Sequence, residues 1–277
     1  MFSSIPGPIG IFDSGYGGLT IFDKIRDVMP QYDYIYLGDN ARTPYGPRSF
    51  EVVYRFTRQA IETLFNEGCQ LVILACNTAS AKALRTIQQK DLPEWDKDRR
   101  VLGVIRPTVE RMDEISKTKH IGILGTNGTI SSGSYSIEIK KMFPHITVTG
   151  EACPMWVPFV ENNEFNTPGA DYFVQKHLNH LLSVDPMIDT LVLGCTHYPL
   201  LKEKIQTFLP EGITVFAQGE YVAESLVDYL HRDPEMDKRL TKQGKCRFLT
   251  TESATKFSEV ASVFLSHPIE VEQIAID

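Results

Sequence analysis

The sequence predicts an α/β fold whose mostly parallel sheets are covered by helices on both faces, and three observations predict it. Short runs that are apolar on both faces recur nearly from end to end of the 277 residues, as strands buried on two sides do. Segments of helical period separate them, which is the pattern of β-α-β units. A weak internal repeat is the third observation: Ile9 to Gly17 resembles Ile121 to Thr129 at an offset of 112, and Leu71 to Thr78 resembles Leu191 to His197 at about 119–120. Two matches in the same order imply duplicated halves, although β-α-β units also look alike by chance. The length fits one large or two modest domains; duplication predicts two, with a cleft between them.

The first apolar run, Ile9–Phe12, ends in the turn Asp13-Ser14-Gly15-Tyr16-Gly17-Gly18, after which a helix is expected. A second run is Tyr34–Leu37 and a third Leu71–Ala75. Between these two, Phe50 to Asn66 carries Val53, Phe56, Ala60, Ile61, Leu64 and Phe65 at helical spacing, and Gly68 supplies a stop. Further strands are expected at Val101–Ile105, His120–Leu124, Ile146–Thr149, Thr190–Leu193, Ile213–Phe216 and Arg247–Thr250, with a weaker one at Glu270–Ile276. Other helices are expected after Asn77, Thr108, Ser132, Asp171, Pro199, Gly219 and Ser253. In parallel α/β sheets ligands sit at the carboxyl ends of the strands, so chemistry is sought there.

Composition narrows the classes. With 42% hydrophobic and 23% charged residues the chain is neither disordered nor fibrous. Its 28 basic against 35 acidic residues give a net charge of −7, which offers no general attraction to nucleic acid or to an anionic membrane. The five cysteines, at 69, 76, 153, 195 and 246, form no CxxC pair and no ladder of metal-ligand spacings, so reduced thiols are expected. No basic stretch followed by an apolar one opens the chain, and no run approaches the roughly 18 apolar residues of a membrane span, which predicts a cytoplasmic protein.

Two of the cysteines stand out. Cys76 follows the run LVILA and precedes Asn77-Thr78-Ala79-Ser80, a helix start where Asn77, Thr78 or Ser80 would cap. Unpaired N–H groups and the helix dipole there favour a thiolate. Cys195 has the same setting, followed by Thr196, His197 and Pro199. One cysteine after a strand is usually a small core residue; two in matched contexts, one beside a histidine, point to reaction. Asp13 ends its strand in a glycine-rich turn, suited to an ammonium group or a proton-transfer partner, or simply to its own backbone. The turn lacks a Walker lysine and the GxGxxG spacing, so nucleotide binding is a weak reading. His197 suits a general base, and with Cys195 it makes only two metal ligands unless Cys76 completes the set. His177 and His180 read as one packed or solvated helix face. Asp39, and Glu151 or Glu161, are candidate supporting carboxylates, and Tyr45-Gly46 between Pro44 and Pro47 reads as a rigid loop. Cys69, Cys153 and Cys246 read as packing.

The segments DSGYGGL (13–19), YLGDNARTPYG (36–46), ACNTA (75–79), GTNGTISSGSY (125–135), ACPMWVPFVE (152–161) and GCTHYPLL (194–201) resemble those of the glutamate racemases, within the aspartate/glutamate racemase superfamily. The resemblance runs from residue 9 to about 230. It implies two pseudo-symmetric three-layer domains with the active site in the interdomain cleft: residues 1–105 with 217–277, and residues 106–216. It implies that Cys76 and Cys195 are the catalytic acid/base pair, assisted by Asp13 and His197 and supported by Asp39 and Glu161. Asp13, Ser14, Pro44, Tyr45, Gly46, Asn77, Thr78, Thr126, Thr129, Thr196 and His197 then take substrate-binding positions. It further implies cofactor-independent racemisation of glutamate for peptidoglycan, no metal, and a homodimer. The segment Ala217-Gln218-Gly219 departs from the family pattern, which often places an acidic residue before a small one and glycine. Three other readings are an aspartate racemase, a cysteine hydrolase or transferase built on Cys195 and His197, and a non-catalytic small-molecule-binding module.

Overall fold

A computed structural model describes residues 5–265 and 267–276. The chain opens with β1 (Ile9–Asp13), α1 (Leu19–Val28), β2 (Tyr34–Gly38), α2 (Phe50–Asn66), β3 (Leu71–Leu74), α3 (Asn77–Lys82) and β4 (Arg100–Gly103). It continues through α4 (Ile105–Val109), β5 (His120–Gly125), α5 (Asn127–Ser131), α6 (Ser134–Met142), β6 (Thr147–Ala152), α7 (Trp156–Glu161), α8 (Pro168–Val184), β7 (Thr190–Gly194) and β8 (Thr214–Phe216). The return is α9 (Gly219–Arg232), β9 (Cys246–Thr250), α10 (Ala254–Ala261) and β10 (Val271–Gln273). Each strand expected from the sequence is present.

The strands form two sheets, ordered β10-β9-β2-β1-β3-β4 and β6-β5-β7-β8, and every pairing between them is parallel. The order β2-β1-β3-β4 in the first sheet is repeated as β6-β5-β7-β8 in the second. That repetition answers the question the two sequence matches left open: β1 corresponds to β5 and β3 to β7, and the halves share one topology.

Alternation along each strand makes the three layers. Ile9, Ile11, Tyr34, Tyr36, Leu71 and Ile73 face α1 and α9, while Phe12, Ile35, Leu37, Val72 and Leu74 face α2. In the second sheet Leu124, Leu191 and Leu193 pack on α7 and α8, and Ile121, Ile123 and Val192 on α4 and α6. Among the described residues no helix is long and apolar enough to cross a membrane.

Several boundaries differ from the sequence reading, each for a local reason. The fourth strand stops at Gly103, where a side chain would meet Leu84 at 2.6 Å, and Ile105 already opens a helix. Pro107 sits in that helix's first turn, where its missing N–H has no partner to lose, so it does not mark a start at Thr108. Likewise α8 begins at Pro168, three residues before the expected point, because the Thr167 hydroxyl accepts from the Ala170 N–H and caps it. The sixth strand runs on through Gly150 to Ala152.

Trp156 is fully buried at the head of α7, against Tyr198 at 4.9 Å between ring centroids. Replacing it (Trp156→Ala) is expected to destabilise the protein by about 3–5 kcal/mol, the range for emptying an aromatic core site. Urea unfolding monitored by far-UV circular dichroism measures it; a loss below about 1 kcal/mol would mean the second core closes over the cavity.

Candidate active site

Residues immediately beyond the carboxyl ends of β1, β3, β5 and β7 are joined by hydrogen bonds between the two halves and make up the candidate site. Asp13 closes β1 and is wholly buried; its Oδ1 accepts the Gly15 N–H at 2.8 Å. Burial raises its pKa, opposed by the positive charge of His197. Gly18 is required beneath it, since a Cβ there would lie 2.5 Å from that of Asp13.

Cys76, one residue beyond Ala75, is 5% exposed. Its thiol donates to Ser14 Oγ at 3.4 Å and its sulfur accepts the Ala79 N–H at 3.4 Å. The cysteine itself is therefore the N-cap of α3, not Asn77, Thr78 or Ser80. The expected lowering of its pKa is also overturned. Burial and the nearby Asp13 carboxylate outweigh the bonds to Ser14 and Ala79, and the thiol is pushed up to about 12.

Cys195 occupies the corresponding place after β7 and is 6% exposed. Its sulfur lies 3.8 Å from His197 Nδ1, and the other ring nitrogen, Nε2, lies 2.9 Å from Glu161 Oε1 at the end of α7. Burial disfavours the imidazolium, but the contacts to Cys195 and Glu161 together overcome it and raise His197 from 6.5 to about 10. Thr196 joins the halves: its hydroxyl donates to Asp13 Oδ2 at 3.4 Å. A side chain at Gly17 would come within 2.3 Å of Thr196 Oγ1 and 2.5 Å of His197 Nδ1, so only glycine allows that approach.

Asp39 is buried and holds the neighbouring loop. It accepts from Arg42 Nε at 2.7 Å, from the Tyr45 hydroxyl at 2.5 Å and from the Thr251 hydroxyl at 2.9 Å. Pro44, after a cis bond, and Tyr45 lead to Gly46, where a Cβ would sit 3.0 Å from Thr126. Thr78 Oγ1 lies 2.9 Å from Thr126 Oγ1 and 3.4 Å from Thr129 Oγ1, a hydroxyl cluster drawn from both halves.

Thus Asp13, Ser14, Cys76, Thr196, Cys195, His197 and Glu161 form one linked group, and Asp39 with residues 44–46 and the three threonines flank it. Asn77 is buried differently from the sequence reading, with its amide engaged by Gln218 and Tyr135. Of the two acidic candidates near Cys153, Glu161 reaches the site, whereas Glu151 binds His177 at 2.6 Å and His180 at 2.7 Å. Cys69 and Cys153 are buried and Cys246 is partly so. Sequence reasoning missed Phe264, whose ring meets His197 edge-on at 5.5 Å, because no local pattern ties a residue after α10 to a turn after β7. A cavity of about 560 Å³ lies elsewhere, between the far end of α3 and helices α4, α6 and α9, and contains none of the candidate residues. Among the described residues no group of three or more His, Cys, Asp or Glu side chains is arranged to hold a metal ion.

The model of the Asp/Glu/Hydantoin racemase family matches residues 20–226. A glutamate racemase of Shouchella clausii (strain KSM-K16) is 39% identical over 272 residues, spanning 98% of this chain and 95% of the relative. The chain belongs to the glutamate racemase family. Among solved structures, a glutamate racemase isoform of Bacillus anthracis superposes with a TM-score of 0.88 at 34% identity, covering 98% of both chains. That of Francisella tularensis subsp. tularensis SCHU S4, in complex with D-glutamate, gives 0.87 at 32%, again over 98% of both. The family's two α/β domains are therefore those of this chain, with its paired cysteines at the ends of equivalent strands.

Because His197 binds its proton more tightly when folded, its contacts with Cys195 and Glu161 stabilise the protein fully below pH 6.5 and lose that contribution as pH rises through about 10. Glu161→Gln should therefore be less stable than the parent near pH 6.5, with the gap closing by about pH 10. Urea unfolding of both proteins across that range measures it; a gap that stays constant with pH would mean the pair carries no such linkage.

Proposed function

We propose that this protein racemises glutamate by moving the α-proton between two cysteines, Cys76 and Cys195, without an organic cofactor or metal. The observation that supports the reading is that two sheets sharing one four-strand order each carry a buried thiol just beyond a central strand, β3 or β7, and that the two thiols lie near enough to interact electrostatically. Inverting a carbon held in one place requires a base on one face and an acid on the other, and duplication supplies both. In one direction the Cys195 thiolate, beside the His197 imidazolium, takes the α-proton as the C–H bond breaks. The Cys76 thiol returns its proton to the opposite face. In the other direction the roles exchange: the Cys76 thiolate takes the α-proton and the Cys195 thiol returns its own.

The α-proton of an amino acid is very weakly acidic, so the developing carbanion needs donors fixed in a site free of water. Ser14, Asn77, Thr78, Thr126, Thr129 and Thr196, with the backbone of Pro44 to Gly46, are the binding groups of this proposal, and Asp39 and Glu161 hold them. The product D-glutamate would serve cell-wall peptidoglycan in the cytoplasm. Domain limits at 1–105 with 217–277, and 106–216, and assembly as a homodimer belong to the same reading.

The chain Cys195–His197–Glu161 is by itself also the constellation of a cysteine hydrolase. That enzyme would not need Cys76. L-Glutamate incubated in D2O should therefore lose optical rotation and gain α-deuterium together, and retention of the α-proton would sink the two-base mechanism. Cys76→Ser and Cys195→Ser should each lower kcat by a factor of about 10²–10⁴; a fully active Cys76→Ser enzyme favours the hydrolase.

A further inference from the structure

Asn77, the residue after Cys76, is held in a closed ring of three hydrogen bonds. Its Nδ2 donates to Gln218 Oε1 at 2.8 Å, Gln218 Nε2 donates to the Tyr135 hydroxyl at 2.6 Å, and that hydroxyl donates back to Asn77 Oδ1 at 2.6 Å. Gln218 Nε2 also donates to Thr108 Oγ1 at 2.7 Å. All four residues are buried, none more than 3% exposed.

The direction of the ring is fixed from outside it. The Thr108 hydroxyl has one proton, given to the Val104 carbonyl at 2.8 Å, so it can only accept from Gln218. Gln218 must then turn its nitrogen toward Thr108 and its oxygen toward Asn77. Asn77 in turn presents its nitrogen to Gln218 and its oxygen to Tyr135. Gln218 thereby spends both its amide protons, whereas Asn77 keeps one N–H and one lone pair beyond the ring.

The location gives the ring its reach. The chain crosses between the two sheets twice, from β4 to β5 and from β8 to β9, and Thr108 lies on the first crossing and Gln218 on the second. Tyr135 is on α6 of the second half and Asn77 on α3 of the first. Gln218 stands at the start of α9, immediately after β8 and Ala217. Gln218 thus has partners on the first crossing, on α6 and at the residue beside Cys76.

We infer that Gln218 is a positioning residue for substrate: through the ring with Tyr135 it fixes the Asn77 amide, which offers its remaining N–H to glutamate beside Cys76. The inference rests on the glutamate reading above. Gln218→Met keeps the side chain's length and removes its amide.

In the native background this variant should weaken D-glutamate binding, read by titration calorimetry, by about tenfold. In an Asn77→Ala background the same change should weaken it by less than about twofold, because the group it positions is gone. Tyr135→Phe opens the ring from the other half and should behave alike, so it serves if Gln218→Met does not fold. Unchanged binding in a folded Gln218→Met or Tyr135→Phe protein overturns the inference, and so does a loss of equal size in both backgrounds, which is what general loosening of the core would give. A parent protein that neither binds nor racemises glutamate fails the underlying reading instead.

Discussion

Removing two thiols, an aspartate and an imidazole from water penalises every charge among them, and the way each group meets that penalty organises the rest of the site. Cys76 keeps its proton, and Asp13 binds its own more tightly than in water. His197 takes the opposite course. It keeps a positive charge because Glu161 and Cys195 stand on either side of it, a pairing that requires α7 to end where β7 ends. A site whose charges are so few and so fixed has little to reorganise when charge develops on a bound molecule.

Such a site can only be assembled if two sheets bring their strand ends almost into contact, and glycine makes that possible at two places. Gly17 lets the turn after β1 lie against Thr196 and His197, and Gly128 lets α5 approach the carbonyl of Gly46, which would be 2.7 Å from a Cβ there. Each glycine belongs to one half and its neighbour to the other or to the loop facing it. Their role is close approach across the cleft more than freedom of the backbone.

The fold was legible because strands buried on both faces announce themselves as unbroken apolar runs, and the repeat of LVILAC in LVLGC announced the shared topology. The site was legible where it consists of residues adjacent to those runs, as Asp13, Cys76 and Cys195 are. Local signals failed where tertiary contact decides. Nothing near Cys76 shows that burial will outweigh a helix start and leave a thiol, and nothing near residue 218 shows that a glutamine will close a ring with Asn77 and Tyr135. Glu151 and Glu161 look alike in sequence, and only the placement of α8 gives the first to His177 and His180 and leaves the second for His197.

The duplicated framework is symmetric, but what surrounds its two sulfurs is not. Cys76 is bonded to Ser14 and to the Ala79 N–H, with an aspartate nearby, whereas Cys195 faces an imidazole backed by a carboxylate. A racemase must nonetheless serve two mirror-related substrates whose free energies are equal. In the proposed reaction one enantiomer is met by a thiol at Cys76 and a thiolate at Cys195. Serving the other requires one proton to move between the flanks. Asp13 and His197 each sit on one flank with a raised affinity for a proton, and Thr196 connects them by donating to Asp13 from the residue next to His197. Inequivalent neighbours are thus compatible with an even-handed reaction, because the asymmetry lies in where one exchangeable proton rests.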